Sequence, residues 1–132
     1  MKEIILENLE KTKQWSEDFA KKIRKPQTIA LYGTLGIGKS EIARNIIKTL
    51  KGNDTVVPSP TFTIVQNYDG ISHFDLYRIK DKSELIEIGL LNSIENDITL
   101  IEWPEIAKHL LPKNTIHIYI EEFKNGRKIK II

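Results

Sequence analysis

The sequence has no cysteine. Disulfides, thiol nucleophiles and cysteine-held zinc sites are therefore excluded, and the composition suits a reducing compartment. It has no apolar run long enough to cross a bilayer, so a membrane partner is not expected. The start, Met1-Lys2-Glu3-Ile4-Ile5-Leu6-Glu7, lacks the apolar stretch of a secretory signal, and the expected location is the cytoplasm. Charge of one sign is scarce: 20 Lys and Arg face 18 Asp and Glu, a net +2. So mild an excess gives no strong electrostatic case for direct binding to nucleic acid or a membrane. The basic run Lys21, Lys22, Arg24 and Lys25 reads as a solvated face. His73, His109 and His117 show no metal-ligand spacing. His73 reads as a packed, hydrogen-bonded side chain near Asp75, and the other two read as surface residues.

What is present is an ordinary globular balance, 40% apolar and 29% charged over 132 residues. A chain of this length supports one core without covalent staples, and a single domain over 1–132 is expected. Ile4-Ile5-Leu6 predicts a short strand, and Trp15, Phe19 and Ile23 recur at helical spacing until Pro26. Thr28 to Tyr32 predicts a buried strand, and Ile42, Ala43, Ile46, Ile47 and Leu50 line one face of a helix that stops near Gly52. Two strands, Phe62 to Tyr68 and Ile71 to Tyr77, meet at Asp69-Gly70 in a hairpin. Asp81 and Glu84 resemble a capping box before a short helix from Leu85 to Ile88. Ile98 to Ile101 predicts another buried strand. Ile116 to Ile120 and Lys128 to Ile131 predict a last hairpin turning at Asn125-Gly126. The order gives a three-layer α/β domain with a mixed, mainly parallel sheet and antiparallel hairpins.

Between the strand ending at Tyr32 and the helix lies Gly33-Thr34-Leu35-Gly36-Ile37-Gly38-Lys39-Ser40, which matches G-x-x-x-x-G-K-[ST]. Each position has a chemical reason. Glycines let successive backbone N–H groups curl around phosphate oxygens, and the following helix aims its positive end at them. Lys39 adds a charge for the β- and γ-phosphates, and the Ser40 hydroxyl is a Mg²⁺ ligand. Such a loop also needs an acid at a neighbouring strand end for the metal's water shell. Two carboxylates compete for that place. Glu102 closes the apolar run Ile98 to Ile101, and Asp75 ends a hairpin strand beside Arg78, its alternative ion-pair partner. Trp103, between Glu102 and Pro104, is either a nucleotide-proximal side chain or a core residue, and Trp15 reads as core.

The glycine loop is followed, in order, by Ser59-Pro60-Thr61-Phe62-Thr63, His73-Phe74-Asp75-Leu76-Tyr77-Arg78, Glu87-Ile88-Gly89-Leu90 and Ile101-Glu102-Trp103-Pro104. From about Leu6 to Arg127 the chain resembles the bacterial ATPase family of tRNA threonylcarbamoyladenosine biosynthesis, TsaE, also called YjeE. The resemblance implies slow, Mg²⁺-dependent ATP hydrolysis that supports a threonylcarbamoyl-transferase pair, TsaB and TsaD, and touches tRNA through that pair. It implies that Lys39, Asp75 and Glu102 are catalytic, with Ser40, Glu102 and Asp75 around the metal. Ser59, Pro60 and Thr61 match a switch-like loop. Gly33, Leu35, Gly36, Ile37, Gly38, Lys39, Ser40 and Glu41 would line the nucleotide, with Leu9 and Gly126 touching it outside the loop. Thr34 stands where the family usually has Asp, and Ser40-Glu41 where it usually has Thr-Thr. Glu41 suits the helix dipole but would crowd phosphates if turned inward, so nucleotide affinity is the property these departures bear on.

Loop and size also fit a small metabolite kinase, although phosphoryl transfer usually draws on arginine clamps. The four arginines are Arg24, Arg44, Arg78 and Arg127, and Arg78 is the one plausible clamp. A third reading is a nucleotide-sensing adaptor in which binding alone orders the switch loop.

Overall fold

The structure, a computed structural model, describes residues 2–34, 36–57 and 64–132. In chain order these form β1 (Lys2–Leu6), α1 (Leu9–Ala20), β2 (Gln27–Tyr32), α2 (Lys39–Lys51), β3 (Val65–Asn67) and β4 (Ile71–Asp75). There follow α3 (Glu84–Glu87), α4 (Leu90–Asn96), β5 (Ile98–Glu102), a 3-10 helix (Pro104–Leu110), β6 (Ile116–Phe123) and β7 (Gly126–Ile131). Among the described residues, no helix is long and apolar enough to cross a membrane.

The strands make one sheet in the order β1-β7-β6-β2-β5-β4-β3. Its centre, β6-β2-β5-β4, is parallel, and the flanking pairs are antiparallel. The parallel centre follows from composition. Ile29, Ala30 and Leu31 of β2 and Leu100 and Ile101 of β5 are wholly buried, as strands covered on both faces must be. On one face α1 and α2 pack Ala20, Ile42, Ala43, Ile46 and Ile47 over Ile29, Leu31, Leu100 and Ile118. On the other, α3, α4 and the 3-10 helix bring Leu85, Leu90 and Ala107 onto Phe74 and Ile101. The expected three layers result.

Both hairpins form. Asp69 (φ 45°) and Gly70 (φ 91°) are the two turn residues between β3 and β4, closed by Tyr68 N–H donating to the Ile71 carbonyl at 2.7 Å. That double left-handed turn is what Asp-Gly favours. The last hairpin turns one residue earlier than expected. Phe123 pairs with Gly126, and Lys124 (φ 53°) and Asn125 form the turn. Gly126 is instead the first residue of β7, and a Cβ there would collide with the Leu6 carbonyl and the Glu7 backbone. The glycine answers a close approach, not a turn.

β4 ends at Asp75, two residues short of the expected Tyr77, and β3 is three residues long; the expected residues 62 and 63 lie outside the described residues. Asp81 is not the helix cap. Its Oδ1 accepts from Ser83 N–H and Oγ at 2.9 Å, and Ser83 is the capping residue of α3. Helix α4 and the 3-10 helix fall where the sequence reading placed no element. Both are seven residues long, with little amphipathic length to read.

Candidate functional site

The register levels the carboxyl ends of three parallel strands. Leu31 of β2 is opposite Glu102 of β5, and Glu102 is opposite Asp75 of β4. The glycine loop leaves β2 immediately beyond this line and delivers Lys39 and Ser40 as the first residues of α2. Gly33, Gly36 and Gly38 have φ of 152°, 76° and 117°, a run that side-chain-bearing residues rarely adopt. The path of the described loop residues thus depends on these glycines.

Lys39 is 4% exposed, and its Nζ donates to the Gly33 carbonyl and, at 2.8 Å, to the Thr34 carbonyl. The ammonium also lies 4.0 Å from the centre of the Trp103 ring, within cation–π range. Trp103 itself (φ 56°) is half-buried and packs against Tyr77, ring centres 4.9 Å apart. It therefore sits beside the loop lysine and against the core at once. Burial pulls the Lys39 ammonium below its ordinary range, opposed by the charges of Glu102, Glu105 and Asp75.

Glu102 is 2% exposed, and each of its oxygens has one partner: Ser40 Oγ donates to Oε1 at 2.9 Å, and His73 Nε2 lies 2.6 Å from Oε2. Asp75 is half-buried and accepts from Tyr77 N–H at 3.1 Å. Burial pushes its carboxyl up, Tyr77 N–H opposes this, and the neighbouring Glu102 charge adds to it. His73 is thus packed and hydrogen-bonded as expected, and its partner is Glu102. The alternation of His73 with Asp75 on β4 was visible, but the pairing needs the β4–β5 register. His117, expected at the surface, is half-buried, and its Nδ1 bonds the Tyr32 hydroxyl at 2.8 Å; His109 is exposed.

Glu41 does not turn toward the loop's mouth. Its Oε2 accepts from Arg127 Nη1 at 3.3 Å, and Arg127 covers Gly38 so closely that a Cβ there would lie 2.9 Å from the guanidinium carbon. Arg127 was not among the expected site residues. Only the β6–β7 hairpin, pairing beside β1, brings it to the loop. A cleft of about 260 Å³ opens there, lined in part by Leu9, Gly36, Ile37, Gly126 and Arg127. The structure thus brings Leu9 and Gly126 together with the loop. A second cleft of about 670 Å³, with Trp103, Tyr77 and Glu105 in its wall, lies beyond Gly33 and Thr34. Leu35, Ser59, Pro60 and Thr61 lie outside the described residues.

The oxygen donors at the helix start fit Mg²⁺, a hard cation that keeps most of its waters and takes one or two protein oxygens beside phosphate. The Ser40 hydroxyl can offer its oxygen to such a cation while its hydrogen stays on Glu102. Among the described residues, no cluster of three His, Cys, Asp or Glu forms a closed metal cage, which Mg²⁺ with phosphate does not require.

A buried strand, a glycine loop, a helix opening on Lys-Ser and an acid at the adjacent parallel strand end define a P-loop nucleoside-triphosphate-binding fold. The family profile described as "Threonylcarbamoyl adenosine biosynthesis protein TsaE" matches residues 6–129. The chain is 38% identical over 129 residues to the tRNA threonylcarbamoyladenosine biosynthesis protein TsaE of Rickettsia bellii, covering 95% of this chain and 90% of that one. It is 37% identical over 138 residues to the protein of the same name from Aquifex aeolicus, covering 99% and 96%. Among solved structures, Bacillus subtilis YdiB superposes with a TM-score of 0.77 at 23% identity, over 98% of this chain and 83% of that one. The chain belongs to the TsaE family.

Proposed function

We propose that this protein is a Mg²⁺-dependent ATPase of tRNA threonylcarbamoyladenosine biosynthesis, acting with the TsaB–TsaD transferase pair in the cytoplasm. The observation that carries the reading is the chain Lys39, Ser40 and Glu102: a buried lysine on the loop carbonyls and a serine hydroxyl on a buried carboxylate. Family membership supplies the pathway.

In this reading the glycine-loop N–H groups and Lys39 hold the β- and γ-phosphates, and the cleft at Leu9 and Gly126 takes the nucleoside. Mg²⁺, when bound, would supply positive charge to offset that of the phosphates. Ser40 offers it one ligand oxygen, and Glu102 accepts hydrogen bonds from its water shell. Asp75, one strand over, orients the attacking water. Its raised proton affinity suits a group that accepts a hydrogen bond and then a proton. Glu41, held by Arg127, stays clear of the phosphates. The family resemblance assigns the switch role to Ser59, Pro60 and Thr61, which lie outside the described residues.

The test is ATP hydrolysis by the purified chain, with and without the pair and tRNA. Weak Mg²⁺-dependent activity that rises with the pair, together with more modified tRNA, is expected. Glu102→Gln is expected to lower it about 100-fold or more. Activity indifferent to the pair would sink the assignment.

A further inference from the structure

His73 makes one short hydrogen bond and leaves one ring nitrogen bare. The residue is 3% exposed, on the sheet face that α2 covers, two positions before Asp75. Its Nε2 is 2.6 Å from Glu102 Oε2, while Glu102 Oε1 takes the Ser40 hydroxyl. An ionised carboxylate only accepts, so both neighbours act as donors and Nε2 carries the hydrogen. The other nitrogen, Nδ1, is buried and has no hydrogen-bond partner among the described residues. With the hydrogen on Nε2, Nδ1 is a bare acceptor and no N–H is stranded in the core.

The two bonds on Glu102 come from different elements. Ser40 reaches it from α2, and His73 reaches it from β4. One bond would leave the carboxylate free to turn about its terminal torsion, which is broad for glutamate. Two bonds from rigid elements on either side define its plane. A leucine of similar bulk would fill the space beside Leu100 but strand one carboxylate oxygen in an apolar layer. We infer that His73 is a positioning residue for Glu102, fixing the carboxylate in the orientation that receives the water shell of the nucleotide-bound cation. The inference rests on the Mg-ATP reading of the site.

Two polar variants separate this role from simple core filling. The Gln amide nitrogen can reach the place of Nε2, and the Asn amide is too short. Affinity for a fluorescent ATP analogue is measured on the full chain with Mg²⁺ and with EDTA, alongside thermal unfolding. His73→Asn is expected to lose about tenfold or more of the affinity that Mg²⁺ adds. Binding in EDTA should stay at the wild-type level, and His73→Gln should recover most of the loss. In a Glu102→Gln background, His73→Asn should cost nothing further. Wild-type Mg²⁺ dependence in His73→Asn, an equal loss in EDTA, or a Gln variant as poor as the Asn variant overturns the inference alone. A wild-type chain that binds no nucleotide in either condition overturns the ATPase reading with it.

Discussion

The two faces of the central sheet each bury a polar pair, and the pairs differ in kind. Beneath α4, Ser93 Oγ and Thr99 Oγ1 lie 2.7 Å apart, both buried. Either hydroxyl can donate and either can accept, so the pair is neutral and needs no charged partner. Beneath α2, Glu102 is a charge that can only accept, and it draws its donors from two other elements. Burying a carboxylate costs several kcal/mol unless its partners compensate, so such an arrangement persists where a charge is used. A buried polar group by itself marks nothing. A buried charge beside a glycine loop marks a site.

This contrast can be broken, starting with the largest effect. Ile46→Ala empties the layer over β2 and should lower unfolding free energy by about 2–5 kcal/mol in urea titrations, as should Leu90→Ala on the opposite face. Only the first lies in the loop helix, so the second should leave nucleotide affinity at the wild-type level. Lys39→Ala removes a charge-assisted phosphate contact worth about 1.5–3 kcal/mol, a roughly 10- to 100-fold weaker nucleotide affinity by calorimetry. Unchanged affinity would show that Lys39 does not touch phosphate. Ser93→Ala should cost about 1 kcal/mol of stability and nothing in nucleotide binding. A change in affinity would mean the two faces are coupled.

The smallest effect concerns Asp75. Its carboxyl is raised by burial, so its ionisation disfavours the folded state at neutral pH. That penalty fades as the pH falls toward the ordinary carboxylate range, where the folded and unfolded chains both bind the proton. Asp75→Asn should therefore unfold a few degrees higher than wild type at pH 7, with the gain shrinking toward about pH 4. Hydrolysis should be lost with it. A variant that unfolds earlier at pH 7 would remove burial as the cause.

How far the sequence could be read follows from how local each signal is. The loop, α2 and the Asp69-Gly70 turn are set by neighbours along the chain, and all three were legible. The Asn125-Gly126 signal was misplaced by one residue because Gly126 is required by the backbone of Leu6 and Glu7, over a hundred positions away in sequence. The Glu102–His73 bond and the Glu41–Arg127 pair were hidden for the same reason: register and hairpin placement decide them, and neither leaves a spacing pattern. Helix α4 escaped because seven residues present too little periodicity.

Gly126 has a consequence for how this chain can drift. It sits in the wall of the cleft without a side chain to offer a ligand, and its neighbours there are main-chain atoms that no substitution can trim. A substitution at Leu9 or Lys124 changes a side chain and so reshapes the pocket. At position 126 every replacement adds volume where there is none, so a residue of the cleft wall is held by backbone packing and its identity carries no information about what binds.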